Sequence, residues 1–346
     1  MAAWVRLPGW PLLLVLFAAI VVDMTRRPCH LLQRIVPEPT GLAERLRRLP
    51  MRALSAQESE IYDRDGVVSL PGIVADTEIL DLLRAAVWMG GFPPHNVSLP
   101  NGWVSNGGLR SLIRDGPLGA IAASALGVDS VRIASSACFY KARTYDGAVP
   151  SQPFHLDTIL KERGEDIVTV WLALTAAPES LEMLLGSHRL PHQCQNMLSA
   201  SYMVDRACIE HEYASNVSRH RGAEAKWLSS AQAGDVLVLH GKTWHRGWTA
   251  ASDRLAVSFR FLPAETRFER ELIMDYGAVF YTKYMPAECS MIGGPLYPVV
   301  FPQDEATVDI EQWPLVLRWY DLVLSRVKRF SFEALTVLGR VPFRNC

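Results

Sequence analysis

What the chain lacks narrows it first. None of its six cysteines (Cys29, Cys138, Cys194, Cys208, Cys289 and Cys346) sits in a C-x-x-C pair. Neither a zinc cage nor a dense disulfide framework follows, and a bridge or two is the most such scatter allows. An excess of one charge sign is missing too: 35 Lys and Arg stand against 36 Asp and Glu, for a net charge of −1. No basic stripe offers itself to nucleic acid and no acidic tail suggests disorder. No internal repeat is evident. With 49% hydrophobic and 21% charged residues over 346 positions, the composition suits a globular protein with a sizeable core, either one large domain with extensions or two small ones.

A full membrane-spanning run is also lacking. Leu7–Val22 is uncharged over 16 residues, short of the roughly 20 that a spanning helix needs and long enough for a signal-peptide core. Arg6 before it, Pro8 and Pro11 within it, and Arg26-Arg27 after it favour a targeting segment over a buried helix. Residues 1–25 are therefore expected to be a signal peptide or membrane anchor, placing the protein on a membrane or in the secretory pathway. The sequons Asn96-Val97-Ser98 and Asn216-Val217-Ser218 are compatible with that route.

Residues 26–58 read as a linker with one helix near 41–48. A globular domain is expected over 59–305 and a helical extension over 306–346. The segment Tyr62–Val74 reads as a turn, a strand and a turn. Asp76 or Thr77 then caps a helix whose Ile79, Leu80, Leu82, Leu83, Ala86 and Val87 recur at helical spacing. A second amphipathic helix is expected over 109–125. From about 131 the texture turns to strands: 131–140, 166–175, 234–240 and 254–261 are rich in β-branched and aromatic residues. In the last of these, Leu255, Val257, Phe259 and Phe261 share one face and Arg254, Ala256, Ser258 and Arg260 the other. One face packs a core while the other lines a polar cavity, which is the pattern of a mainly-β jelly-roll barrel with flanking helices and its site in the mouth. The insert 189–230 is either a lid over that mouth or a solvent-exposed decoration. Helices are expected over 267–280 and 310–336, the latter packed on the domain.

The chemistry concentrates in His155-Leu156-Asp157. In an extended strand, residues two apart face the same way, so this imidazole and carboxylate can grip one ion together. A distant histidine, His245, completes a 2-His-1-carboxylate set that leaves three metal positions open and suits non-haem Fe(II). Arg254, nine residues further on, supplies the bidentate guanidinium that a dicarboxylate co-substrate requires.

These segments, in order, resemble the phytanoyl-CoA dioxygenase family of Fe(II)/2-oxoglutarate oxygenases. Tyr62-Asp63-Arg64-Asp65-Gly66-Val67-Val68 resembles the family's opening strand. Phe139-Tyr140-Lys141 followed by Pro153–Asp157 resembles its F-x-K…H-x-D stretch. Val168–Leu174 and Leu181–Arg189 resemble its W-x-x-L…G-S-H-R segment, and Gly234–His245 and Ser252–Phe261 the strands bearing the distal histidine and the arginine. The resemblance implies a double-stranded β-helix of cupin type, with His155, Asp157 and His245 as iron ligands. It implies Arg254 on the far carboxylate of 2-oxoglutarate, with Lys141 and Trp171 lining the co-substrate pocket, and it casts His188, His192 and His240 as structural. The loop Arg246–Ala251 departs from the family's Gly-rich pattern, which leaves Arg260 as the alternative to Arg254. Arg254 is favoured because Leu255–Ser258 continue the family's strand.

The implied activity is hydroxylation of an aliphatic C–H in a small organic substrate, lipid-like or a specialised metabolite, with O2 as oxidant and ascorbate as an accessory reductant. Retention of Asp157 argues against halogenation. Phe154 and Leu156, flanking the ligands, suggest an apolar mouth. Two other classes compete: a non-catalytic, membrane-tethered barrel serving as a binding or scaffold protein, and a cupin-like metalloenzyme that needs no 2-oxoglutarate.

Overall fold

The strand alternation read in the sequence is what builds the two layers of the molecule. The structure, a computed structural model, describes residues 36–89, 97–100, 102–104, 106–141, 154–157, 167–189, 226–248, 253–266 and 299–302. The apolar N-terminal segment, Asn96 and Asn216 of the two sequons, the bulk of the 189–230 insert, the two expected C-terminal helices and every cysteine but Cys138 lie outside them. Among the described residues no helix is long and apolar enough to cross a membrane.

The chain enters through helices α1 (Leu42–Arg47) and α2 (Ala56–Asp65), strand β1 (Val67–Leu70) and helix α3 (Thr77–Met89). Strand β2 (Val97–Pro100), helices α4 (Gly107–Asp115) and α5 (Leu118–Leu126) and the long strand β3 (Val131–Lys141) follow. The remaining strands are β4 (Val168–Ala173), β5 (Leu181–Leu184), β6 (Lys226–Leu228), β7 (Val236–His240), β8 (His245–Gly247), β9 (Arg254–Pro263) and β10 (Val299–Phe301). They form a seven-stranded sheet in the order β1-β7-β4-β9-β3-β10, with β2 also on β3, and a three-stranded sheet β6-β5-β8. Every strand pair is antiparallel. This is a double-stranded β-helix.

One face of the large sheet carries Val168, Val170 and Leu172 of β4, Val236 and Val238 of β7, and Leu255, Val257, Phe259 and Phe261 of β9. These pack on Ile79 and Leu83 of α3, Leu109 and Leu112 of α4, and Leu118 and Ile121 of α5. The opposite face puts Val67, Trp171, Ala173, Leu237, Leu239 and Ala256 against Leu181 and Met183 of β5. That second cluster is the inside of the barrel, and the polar residues of the same face share it.

Three local expectations are corrected. The segment expected as a linker contributes Leu42, Leu46 and Leu54 to the main core; their apolar content was masked by the surrounding arginines and prolines. The turn expected at Tyr62 is the end of α2. A capping box starts this helix, with Ser55 Oγ accepting from Glu58 N and the Glu58 carboxylate accepting from Ser55 N, so the S-x-x-E at 55–58 was the available signal. Gly66 ends it at φ 75°, a left-handed conformation that glycine adopts without strain. The single helix expected over 109–125 is two helices, broken at Gly116-Pro117. Proline disfavours helical backbone in the residue before it, and Gly116 is extended at φ −93°, ψ 173°.

Candidate metal and co-substrate site

Strand β9 sets the site's two ends. Its inward face presents Arg254, Ala256, Ser258 and Arg260 in turn, while β4 beside it presents Thr169 and Trp171. Register places Arg260 opposite Thr169 and Ser258 opposite Trp171. One end of this face is a carboxylate–imidazole cluster and the other is cationic.

The cluster is assembled by backbone pairing. His155 forms an isolated antiparallel bridge with His245: His155 N–H donates to the His245 carbonyl at 2.9 Å, and His245 N–H to the His155 carbonyl at 3.1 Å. Asp157 N–H reaches the Gly241 carbonyl at 3.1 Å, fixing the extended segment whose alternation turns His155 and Asp157 the same way. His155, Asp157 and His245 each offer a ligand atom, and these atoms lie within 4.8 Å of one another. The two imidazole centroids are 4.3 Å apart, and His245 Nε2 is 3.7 Å from Asp157 Oδ2.

Each group is held in the form that a cation needs. The Thr243 carbonyl, 2.9 Å from His245 Nδ1, can only accept, so the proton sits on Nδ1 and Nε2 keeps its lone pair. Thr243 is itself anchored: its hydroxyl donates to the Gly66 carbonyl at 2.8 Å, and a Cβ on Gly66 would come within 2.3 Å of Thr243 Oγ1. Asp157 is nearly inaccessible, at 5%. Burial by itself pushes its carboxyl up, but Arg260, His245 and His155 outweigh that and hold it well below the usual carboxylate range. Thr169 Oγ1 donates to Asp157 Oδ2 at 2.7 Å and Arg260 donates to Oδ1. A buried anion between two imidazole nitrogens is a donor set that fits a divalent cation with open positions.

Arg254 occupies the other end and is 3% exposed. Its Nη1 donates to the Ser180 carbonyl at 3.0 Å and its Nη2 to the Trp248 carbonyl at 2.9 Å. Burial pushes its pKa down. Lys141 of β3 is its register partner, and burial together with Arg254 lowers the lysine's pKa. Arg254 Nε and Ser258 Oγ are buried without a hydrogen-bond partner. Buried polar atoms are normally satisfied, so two orphans and two cations on one inner face fit a carboxylate-bearing ligand.

Of the six residues predicted from sequence, the structure brings His155, Asp157 and His245 into one cluster and pairs Lys141 with Arg254. Trp171 lies in the inner apolar cluster between the two ends. Arg260, the alternative to Arg254, is instead committed to Asp157. Ser258 was placed on the polar face without a role and Thr169 was not singled out, although strand alternation puts both on the inner face. Phe154 does not line a mouth. The alternation that turns His155 inward turns Phe154 outward, where it is buried beneath the Arg246 guanidinium at 4.4 Å. Arg246 is held in turn by Glu182 at 2.5 Å. The His188 and His240 rings meet at a tilt of 42°, with centroids 5.0 Å apart; His188 Nε2 lies 3.1 Å from the Asp63 carbonyl and His240 Nδ1 accepts from Lys242 N. Neither belongs to the cluster, and His192 lies outside the described residues.

Comparison with known proteins agrees with this arrangement. No curated protein matches the chain. Among solved structures, the non-heme alpha ketoglutarate dependent carbocyclase SnoK from nogalamycin biosynthesis is 22% identical, with a TM-score of 0.56 over 71% of this chain and 96% of that one. The epimerase SnoN, in complex with Fe3+, alpha ketoglutarate and nogalamycin RO, is 18% identical, with a TM-score of 0.53 over 70% and 97%. EctD from S. alaskensis, with 2-oxoglutarate and 5-hydroxyectoine, is 18% identical, with a TM-score of 0.51 over 70% and 89%. These share the fold. Residues 105–256 match the model of the phytanoyl-CoA dioxygenase (PhyH) family, a span that contains the whole His–Asp–His cluster and Arg254. Residues 105–256 thus carry a phytanoyl-CoA dioxygenase (PhyH) domain, and that domain on this fold marks a 2-oxoglutarate-dependent oxygenase.

Proposed function

We propose that the protein hydroxylates an aliphatic C–H bond of a small organic substrate, lipid-like or a specialised metabolite, with Fe(II) and 2-oxoglutarate. The observation that carries the reading is the pairing on one inner face of the His155–Asp157–His245 cluster with a buried cation, Arg254, that meets no carboxylate among the described residues. His155, His245 through Nε2, and Asp157 through Oδ2 would hold the metal. Bound there with 2-oxoglutarate, the metal supplies O2 activation coupled to decarboxylation of the co-substrate. Arg254 and Lys141 take the distal carboxylate, with Arg254 Nε a donor left for it. The apolar walls of Trp171, Leu237, Leu239 and Met183 exclude water from the reacting centre, and they support a substrate with aliphatic character. N-terminal membrane attachment would suit such a substrate, and ascorbate serves to keep the metal reduced.

SnoK is a carbocyclase and SnoN an epimerase, so the product's mass discriminates between outcomes. Hydroxylation adds one oxygen, ring closure removes two hydrogens and epimerisation changes nothing. Purified protein with Fe(II), ascorbate, O2 and 2-oxoglutarate should release succinate, and Asp157→Ala should not. Absence of succinate from the wild-type protein in the presence of a broad substrate panel would favour the non-catalytic scaffold.

A further inference from the structure

We propose that Arg260 is a positioning residue: its guanidinium holds Oδ1 of Asp157, so that Oδ2 is the single oxygen presented to the metal. This rests on the metal reading of the His–Asp–His cluster.

The two oxygens of Asp157 have different surroundings. Oδ2 lies 3.7 Å from His245 Nε2 and accepts from Thr169 Oγ1 at 2.7 Å. Oδ1 is turned the other way, onto Arg260 Nη2. Arg260 is supported from both neighbouring strands, opposite Thr169 on β4 and Ser135 on β3, and its Nη1 lies 3.4 Å from Ser135 Oγ. The Asp157 backbone is fixed through Gly241, but a carboxylate rotates broadly about its last torsion. Thr169, touching only Oδ2, does not stop that rotation; the bond to Oδ1 does. The consequence is stoichiometric. One position from each of three residues leaves three for co-substrate and O2, and a second oxygen from Asp157 would take one of them.

Arg260 does not double as the co-substrate arginine. Arg254 and Arg260 are six residues apart on β9, about 20 Å at roughly 3.3 Å per residue, so one guanidinium serves each end of the site.

The test uses Co(II) as probe, without 2-oxoglutarate or turnover, on the full chain. Arg260→Leu should weaken Co(II) binding roughly 10- to 100-fold, the usual loss when an orienting partner is removed, and should alter the d–d absorption spectrum. Arg260→Gln, which keeps a donor for Oδ1 without the charge, should recover most of the affinity and the wild-type spectrum. Binding that is unchanged or tighter in folded Arg260→Leu overturns the proposal, because the arginine then only balances charge. If Arg260→Leu does not fold, Arg260→Lys replaces it. A point charge without the planar fork should still alter the spectrum, and an unaltered one overturns the proposal. Wild-type protein that fails to bind Co(II) sinks the metal site itself, a different failure.

Discussion

Lys141 and Arg254 face each other across β3 and β9 as register partners, two cations drawn into the barrel with no acidic side chain bridging them among the described residues. Each is disfavoured in its charged form by burial, and Lys141 additionally by Arg254. Such a pair is stabilised when a dianion arrives. Arg254→Met should therefore raise the KM for 2-oxoglutarate by about 30-fold or more, since truncating one partner of a buried charge pair costs roughly 2–5 kcal/mol. Arg254→Lys should not restore it, because the bonds to the Ser180 and Trp248 carbonyls use the fork geometry that lysine lacks. Steady-state kinetics at fixed Fe(II) decides this.

The same pair sets a pH dependence. Lys141 has a folded pKa below its unfolded value, so between the two values the unfolded chain binds more protons. Ligand-free stability then rises with pH through that window, up to about 10.4. Binding runs the other way: 2-oxoglutarate affinity falls as pH climbs through the lowered lysine pKa, while the arginine keeps its proton. Calorimetric titration should show the decline in wild type and a flatter profile in Lys141→Met. A wild-type affinity that stays constant to pH 10 would remove Lys141 from the pocket.

Gly66 sits far from the cluster in sequence yet bears on it. Alanine there is strained at φ 75° and its Cβ would lie 2.3 Å from Thr243 Oγ1 and 2.4 Å from His188 Nδ1. Left-handed strain alone is about 1–2 kcal/mol. Gly66→Ala should lower the melting temperature and also weaken metal binding, because Thr243 carries the carbonyl that fixes His245. A variant that melts lower but binds Co(II) as tightly as wild type would break that link.

Cys138 is buried, and burial pushes its thiol up to about 12. Iodoacetamide at pH 8 should leave it unmodified in the native protein and alkylate it after denaturation, as read by peptide mapping. Rapid native labelling would mean that β3 opens.

Much of the site was legible because strands write it in a period of two. His155 and Asp157, and Arg254 with Ser258 and Arg260, declare a common face without any structure. The partition of labour between Arg254 and Arg260 was not legible, since both are inward arginines of one strand. Only the packing of β4 and of the 154–157 segment decides which meets Asp157. Phe154 was misread for a related reason. Its neighbours drew attention to the mouth, whereas the alternation already excluded it from that face. At the helical end, Pro117 and the Ser55 capping box were visible signals overridden by hydrophobic spacing.

The reciprocal backbone bonds between His155 and His245 join positions 90 apart in the chain, and an ion held by both side chains would rivet the same junction. Metal loading is then a cross-link as well as a cofactor event. Because the site exists only in the folded chain, metal binding adds to folding stability by mass action, about 2.7 kcal/mol at free metal a hundredfold above Kd. Chelation would act on this protein much as reduction acts on a disulfide-bonded one, with the amides of 154–157 first to exchange with solvent.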